Sequence, residues 1–492
     1  MNATDIRFPV GISGLALYVP PYRVDLRRWC EWTGADWDKI SQVVGSGFRL
    51  PGPQQSVYTM AANAVLRLIE AYDVDPGKVR YLALGTESST DNSAGAVIIK
   101  GMVDSALSKL GLPALSRHCE VPEFKHACLG GVYALKNALR FLETDGDDAV
   151  AIAVSTDKAL YQRGSSGEPT QGAGAVAVLL TQNPSIATVN LRESGTASDY
   201  RGVDFRKPLI NRNGTGASPE FVDIPIFNGK YSTSCYVDEM ERALEDMYRK
   251  RSLNPTAYLN EVEAVFMHRP YQRMPETGWG MAYLFALAKG ETYEREELAG
   301  YCDQVGVELT DVLSEIGSAA GLARYGVREK ISEDIFPSSL TVLRAFRSSE
   351  QFKHVVADKM QLGSELMREL GNIYTGALPG WLAAGLEDAE QRHADLDDRE
   401  ILLVGYGSGD AAEAIPMRMV PGWQRAARAI GFAESLTPFI DLSQDQYLAL
   451  RERSLTDGLE YTPRAEFVVD RVGSETTQSF QDAGIEYYRY VQ

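Results

Sequence analysis

A thiol followed by two glycines, a carboxylate past one apolar run and an imidazole past another are the groups best placed for chemistry. Cys128 stands in FKHACLGGVYALKNAL, directly before a run of good helix formers. The positive end of a helix dipole lowers a thiol pKa and favours the thiolate that attacks a carbonyl carbon. Gly130 and Gly131, lacking side chains, let a second backbone or a thin substrate arm come close. Glu87 lies in GTESSTDNS just after YLALG, where burial would raise its pKa towards the range of a general base. His268 follows VEAVFM in FMHRPYQRM, and strand ends of α/β sheets are where catalytic groups gather. Of the other histidines, His354 and His393 fall in charged helical segments, while His118 and His126 lie near Cys128. Each group also has a plain reading: a small buried cysteine, an exposed loop acid, a satisfied core histidine. Together a thiol, a base and an imidazole suit thioester chemistry, although spacing alone does not show that they converge.

The elements that must position them follow from the apolar pattern. Runs at 81–85, 149–154, 173–180, 262–267 and 401–404 are short and continuous, as strands buried on both faces require. Helical patterns occupy 58–72, 129–142, 277–287, 350–370 and 374–386, the second placing Val132, Leu135, Leu139 and Leu142 on one stripe. This alternation predicts an α/β protein with covered sheets. Two echoes suggest a duplication. Gly172-Ala173-Gly174 and Gly407-Ser408-Gly409 each lead into an apolar run, and Cys128 and Asn372 each precede a helix.

Composition narrows the classes. A formal charge of −18 argues against nucleic acid, which needs a basic surface, but leaves room for a phosphorylated small molecule held by local cations. Five scattered cysteines without a CxxC pair predict no disulfide framework and a reducing, cytoplasmic setting. The first ten residues carry no basic stretch leading into an apolar one, and no run approaches ~18 apolar residues, so neither signal peptide nor membrane span is expected. His118, Cys119, His126 and Cys128 fit no usual closed zinc set, and no metal is expected.

A longer series of ordered segments is more specific than any of these. VGISGLALYVPPYRVDL, ALGTESSTDNS, HACLGG, STDKALY, PTQGAGAVAVLL, DFRKP, GKYSTSCY, FMHRPYQRM, GNIYTGALPGWL and GYGSG run along nearly the whole chain. In these the chain resembles the 3-hydroxy-3-methylglutaryl-CoA synthase family of the thiolase-fold superfamily. The resemblance implies a five-layered αβαβα sandwich of two similar halves, 1–182 and 183–492, typically in a homodimer. It implies that Cys128 carries an acetyl group from acetyl-CoA, Glu87 removes a proton from the acetyl methyl, and His268 polarises the ketone of acetoacetyl-CoA. Backbone amides at the helix start would serve as oxyanion donors. Thr170, Ser232, Asn372 and Ser408 match substrate-contacting positions. Asp36 matches a substrate loop, and Asp91, Asp157 and Asp204 match acids that support the site. The resemblance further implies acyl-thioester substrates, no cofactor and a place in isoprenoid precursor supply.

Some positions depart from the family pattern. Leu129 stands where tyrosine is common, removing a hydroxyl from beside the nucleophile. Arg273 stands where a lysine often contacts CoA, a second lysine position is Thr277, and Arg269 is a bulky addition after the histidine. The segment 206–216 is longer than usual at the entrance. A relative condensing other partners therefore stays open, such as a β-branching enzyme acting on acyl carrier protein or a ketoacyl-synthase-like enzyme. So does a non-catalytic acyl-CoA-binding homologue, against which the joint retention of Glu87, Cys128 and His268 speaks.

Overall fold

Among the described residues ten strands form one sheet, and the buried apolar runs supply its long central members. In a computed structural model the described residues are 8–492 except 90, 202–203, 205–206, 208, 211–219, 222–223, 227, 319–333, 453–458 and 460. The main-sheet strands are β1 (Val10–Tyr18), β2 (Val79–Gly85), β3 (Glu123–Phe124), β4 (Val150–Ala159), β5 (Gly172–Gln182), β6 (Ala187–Val189), β7 (Gly195–Ser198), β8 (Ala264–Met267), β9 (Glu400–Gly407) and β10 (Ala411–Met419). Their order is β8-β9-β10-β6-β1-β5-β4-β2-β3, with β7 also pairing β10.

The same arrangement occurs twice. β2 runs parallel to β4, which forms an antiparallel hairpin with β5. Likewise β8 runs parallel to β9, which forms an antiparallel hairpin with β10. A parallel pair needs a crossover helix. These are α3 (Gly130–Thr144) in the first repeat and α6 (Ala377–Gln391) in the second. The echo between Cys128 and Asn372 is thus the start of two equivalent crossovers. β1 and β6 join the two repeats through the pairs Gly11↔Thr188 and Ile12↔Ala187.

The layers follow from what each helix buries. Val132 and Leu135 of α3 and Leu378 and Leu382 of α6 meet Ala153 and Val178 on one side and Leu403 and Ile415 on the other. α3 and α6 therefore lie between the two sheet halves. α2 (Val57–Ala71), capped by Ser56, buries Met60, Val65 and Leu68 on the outer face of the first half. α4 (Gly229–Arg251) and α5 (Arg273–Lys289) cover the second. The result is the thiolase fold. The C-terminal hairpin returns to the first half, where Phe467 and Tyr490 join its outer core.

One expected helix is not continuous. Residues 350–370 form a short helix at Glu350–Phe352, a π-type turn at Lys353–Ala357 and 3₁₀ turns at Asp358–Met360 and Leu366–Glu369. Gly363 takes φ +66 and packs against the backbone of Ala384 and Gly385, while Lys359 turns inward onto the carbonyls of Asn260 and Val262. Of segment 206–216, all but residues 207, 209 and 210 lies outside the described residues. Among the described residues, no helix is long and apolar enough to cross a membrane.

The start of α3 requires a close approach. A Cβ on Gly131 would stand 2.2 Å from Ser155 Oγ and 2.6 Å from the Thr375 carbonyl oxygen. Gly131→Ala should therefore lose ~1–3 kcal/mol of stability in denaturant or thermal unfolding. A loss below ~0.5 kcal/mol would contradict this packing.

Candidate active site

A cavity of about 500 Å³ opens at the C-terminal ends of β4, β8 and β9, and Cys128, His268, Thr170, Ser232, Asn372, Ser408, Asp204 and Asp36 all line it. Segments from both repeats therefore converge on one space. Trp29, Ile40, Val43, Val44, Pro270, Tyr271 and Met274 make most of the remaining wall apolar. Ile40 and Val43 belong to α1 (Trp37–Val43), whose N-cap Asp36 accepts from the amides of Asp38 and Lys39.

Cys128 is 7 % exposed and sits just before α3 in a tight turn. Ala127, immediately before it, takes φ +40, a conformation that non-glycine residues hold only when their surroundings enforce it. The amides of Leu129 and Gly130 bond to the carbonyls of His126 and Ala127, so they are committed to the turn and not free as oxyanion donors. The expected lowering of the thiol pKa is reversed. Burial, then the charges of Glu87 and Asp157, push it well above the ordinary value. The half-charge of a helix end is outweighed by desolvation and nearby carboxylates. The resting group is a thiol, and its Sγ donates to Glu87 Oε2 over 3.8 Å.

Glu87 is held by a single buried carboxylate. Asp157 accepts from the Thr86 hydroxyl at 3.0 Å and from the amides of Glu87 and Ser88 at 2.9 and 3.0 Å. Its other oxygen accepts from the amide of Thr375 at 3.0 Å and from the Thr375 hydroxyl. The loop carrying the base and the loop carrying Asn372 are thereby tied to one side chain across the central layer. Lys207 adds an ion pair to Glu87 Oε1 at 3.8 Å and donates to its carbonyl at 3.1 Å.

His268 is 3 % exposed, and burial lowers its pKa to about 3. It is a neutral imidazole, able to donate or accept one hydrogen bond but not to act as a cation. Its ring lies along that of Tyr406, with centroids 6.3 Å apart, and its carbonyl accepts from the Tyr236 hydroxyl at 3.0 Å. Tyr406 in turn meets Asp204 and Asp410.

Several expected positions take other roles. Asp91 is exposed and accepts from the Tyr58 hydroxyl and from the Ala94 amide just ahead of the helix Gly95–Lys109, outside the cavity. Arg273 begins α5 beside the lining residue Met274 but is not itself in the wall. Arg269 is buried, bonds to Ser364 and lies over Trp381, so it adds no bulk to the site. Leu129 packs against Gly405 and Gly407 at the end of β9, away from the cavity. The hydroxyl-bearing groups beside the thiol come from elsewhere. Tyr161 and Tyr374 cluster with Cys128, and Tyr161 accepts from Asn372 Nδ2 at 3.1 Å. Tyr161, Tyr374, Tyr406, Lys207 and Asp410 were not singled out from sequence. The first four lie inside recognised segments, whereas nothing in the sequence marks Asp410.

Among the described residues, one group of ligand-type atoms is closely spaced: Asp204, Cys235 and Asp410 lie within 4.8 Å of one another. Their carboxylates are already engaged by Tyr406 and Arg201, an arrangement that shares protons and does not present a ligand set. His118, Cys119, His126 and Cys128 form no such group among the described residues.

The chain is similar to known proteins along most of its length. Residues 7–185 match the family model described as hydroxymethylglutaryl-coenzyme A synthase N terminal. A hydroxymethylglutaryl coenzyme A synthase from a Fusarium species is 32 % identical over 430 residues, covering 83 % of this chain and 82 % of that protein. The hydroxymethylglutaryl-CoA synthase of Haloferax volcanii is 25 % identical, with 93 % and 96 % covered. Among solved structures, MvaS in complex with 3-hydroxy-3-methylglutaryl coenzyme A superposes with a TM-score of 0.75 at 22 % identity, covering 99 % of this chain and all of that one. The curacin-pathway HMG synthase in complex with holo donor-ACP gives a TM-score of 0.68 at 18 % identity, covering 98 % and 100 %.

The electrostatics make two testable statements. The His268 imidazole should stay neutral down to at least pH 5 by NMR of labelled histidine; a midpoint near ~6.5 would contradict its burial. Alkylation of resting Cys128 should rise only above pH ~9, and Glu87→Gln should move that limb to lower pH by removing a negative neighbour. An unmoved limb would show that Glu87 does not govern the thiol.

Proposed function

The chain belongs to the hydroxymethylglutaryl-CoA synthase family, and from that premise we propose that it condenses acetyl-CoA with acetoacetyl-CoA and water to give 3-hydroxy-3-methylglutaryl-CoA and CoA. The observation that carries this reading is the contact of Glu87 with Cys128, which lines a cavity together with His268.

In the first step the Cys128 sulfur attacks the acetyl thioester as Glu87 accepts the thiol proton, and CoA leaves as the thiol. A resting thiol beside a carboxylate suits this order, because the nucleophile is deprotonated only as it attacks. The thioester next to the acetyl methyl group acidifies its protons, and Glu87, within reach of the sulfur, removes one. The resulting carbon nucleophile attacks the ketone of the second substrate. His268, held neutral, donates a hydrogen bond to that oxygen. Water then hydrolyses the Cys128 thioester and frees the product carboxylate.

Further features support acyl-CoA as the carrier. The largely apolar wall suits a pantetheine arm, and Thr170, Asn372, Ser232 and Ser408 offer polar contacts along it. Asp157 acts here as a positioning acid. Delivery of one substrate on an acyl carrier protein is the second reading, favoured by the fold shared with the curacin-pathway enzyme. The active form is proposed to be a homodimer in the cytoplasm, serving isoprenoid precursor supply.

Mixing the protein with acetyl-CoA and acetoacetyl-CoA should release free CoA and the six-carbon product, and Glu87→Ala should lower that rate ~10²–10⁴-fold. His268→Ala should raise KM for acetoacetyl-CoA while acetyl transfer to Cys128 continues. An absence of six-carbon product from the unaltered protein would overturn acetoacetyl-CoA as the acceptor.

A further inference from the structure

Beside the cavity lies a buried cluster in which negative groups outnumber positive ones. Arg201 contacts Asp238 at 2.5 Å, Glu239 at 2.9 Å and Asp410 at 3.0 Å, and all four are buried. Asp204, 1 % exposed, joins the cluster through Tyr406 and has no cation of its own among the described contacts. The other cations nearby are remote: Arg242 reaches only Asp238, at 3.5 Å, from a half-exposed position. Four ionised carboxylates against one buried guanidinium would leave uncompensated charge in the interior, which a protein avoids by retaining protons.

The position of the retained proton follows from Tyr406. Its hydroxyl lies 2.8 Å from Asp204 Oδ2 and 2.9 Å from Asp410 Oδ1, yet it has one proton to give. Asp410 has further donors in Arg201 and in the Gly409 amide. Asp204 has neither of these; besides Tyr406, among the described residues only the Ser232 hydroxyl of α4 serves it. Of the pair, Asp410 is the better-served carboxylate and Asp204 the one that keeps the proton. Asp204, unlike Asp410, also lines the cavity with Cys128 and His268.

Resting on the condensation proposed above, we infer that Asp410 keeps Asp204 as a neutral carboxylic acid in the cavity wall, and that Asp204 protonates the ketone oxygen of the second substrate as the carbon–carbon bond forms. The balance is complete. The acetyl carbon loses a proton to Glu87 and bonds to the ketone carbon, the carbonyl π pair moves to oxygen, and that oxygen takes the Asp204 proton. Exchange with solvent then restores both carboxyls. Burial and the charge of Asp410 raise the Asp204 pKa to about 8, so the acid form is present at neutral pH. His268, with a pKa of about 3, can orient the ketone but is a poor proton donor. The groups facing Asp204 are Asp410 and Tyr406 from the β9–β10 side, Ser232 and Cys235 from α4, and Cys128 before α3. Asp204 is the catalytic residue here and Asp410 a positioning residue.

Infrared difference spectra of the resting protein test the shared proton without reference to activity. A protonated-carboxyl band should be present at pH 7; its component that fades around pH 8 should be missing from Asp204→Asn and should fade at least ~1 pH unit lower in Asp410→Asn, whereas the component from Glu239, whose pKa is raised to about 7, should remain in both. No such component in the unaltered protein, or an unmoved midpoint in Asp410→Asn, overturns the acid pair. For the donor role, the basic limb of kcat for condensation should shift down in Asp410→Asn with KM unchanged, and Asp410→Glu should restore it. An unshifted limb overturns the donor role. If the band behaves as expected but the unaltered protein makes no six-carbon product, the reading of the reaction fails and takes the donor role with it, while the shared proton stands.

Discussion

The site depends on one buried carboxylate joining two loops from opposite halves of the fold. Asp157 ends β4 in the first repeat and accepts from Thr86, Glu87 and Ser88 after β2. Its second oxygen accepts from Thr375 ahead of α6 in the second repeat. A fully buried carboxylate is tolerable only when its lone pairs are met, and here each oxygen is met by donors from a different repeat. The relative placement of Glu87 and Asn372 is therefore set by charge satisfaction as much as by apolar packing.

The same duplication explains why thiol, base and imidazole meet. Equivalent strands end on the same side of the layered sheets, so the loop after β2 sets Glu87 against Cys128 and the loop after β8 brings His268 into the cavity that Cys128 lines. The turn before α3 brings Cys128 there, and the corresponding turn before α6 brings Asn372. Two of these turns hold non-glycine residues at positive φ, Ala127 at +40 and Tyr374 at +46. Strain of this kind is maintained by tight surroundings, such as the packing of Gly131 on Ser155 and Thr375.

Much of this was legible in the chain itself. Continuous apolar runs located β2, β4, β5, β8 and β9, because strands covered on both faces have no polar side to show. The glycine-led hairpins and the paired crossover helices exposed the duplication. What stayed hidden depends on distant contacts. The helix that follows the thiol suggests a lowered pKa, whereas burial and carboxylates 29 to 76 residues away in sequence decide it. The break in 350–370 comes from Lys359 reaching carbonyls on another segment, which periodicity cannot register. Leu129 was read beside the nucleophile because it adjoins it in sequence, yet at the start of a helix adjacent side chains diverge. Asp410 had no local signal at all; only the folded chain sets it against Asp204.

The central claim is that Cys128 is the acyl carrier. Brief exposure of the protein to acetyl-CoA alone, followed by acid quench, proteolysis and mass spectrometry, tests it most directly. The account predicts one acetyl group, held as a thioester on Cys128 and absent from Cys128→Ala. Acetyl on another residue, or none on the unaltered protein, would contradict it.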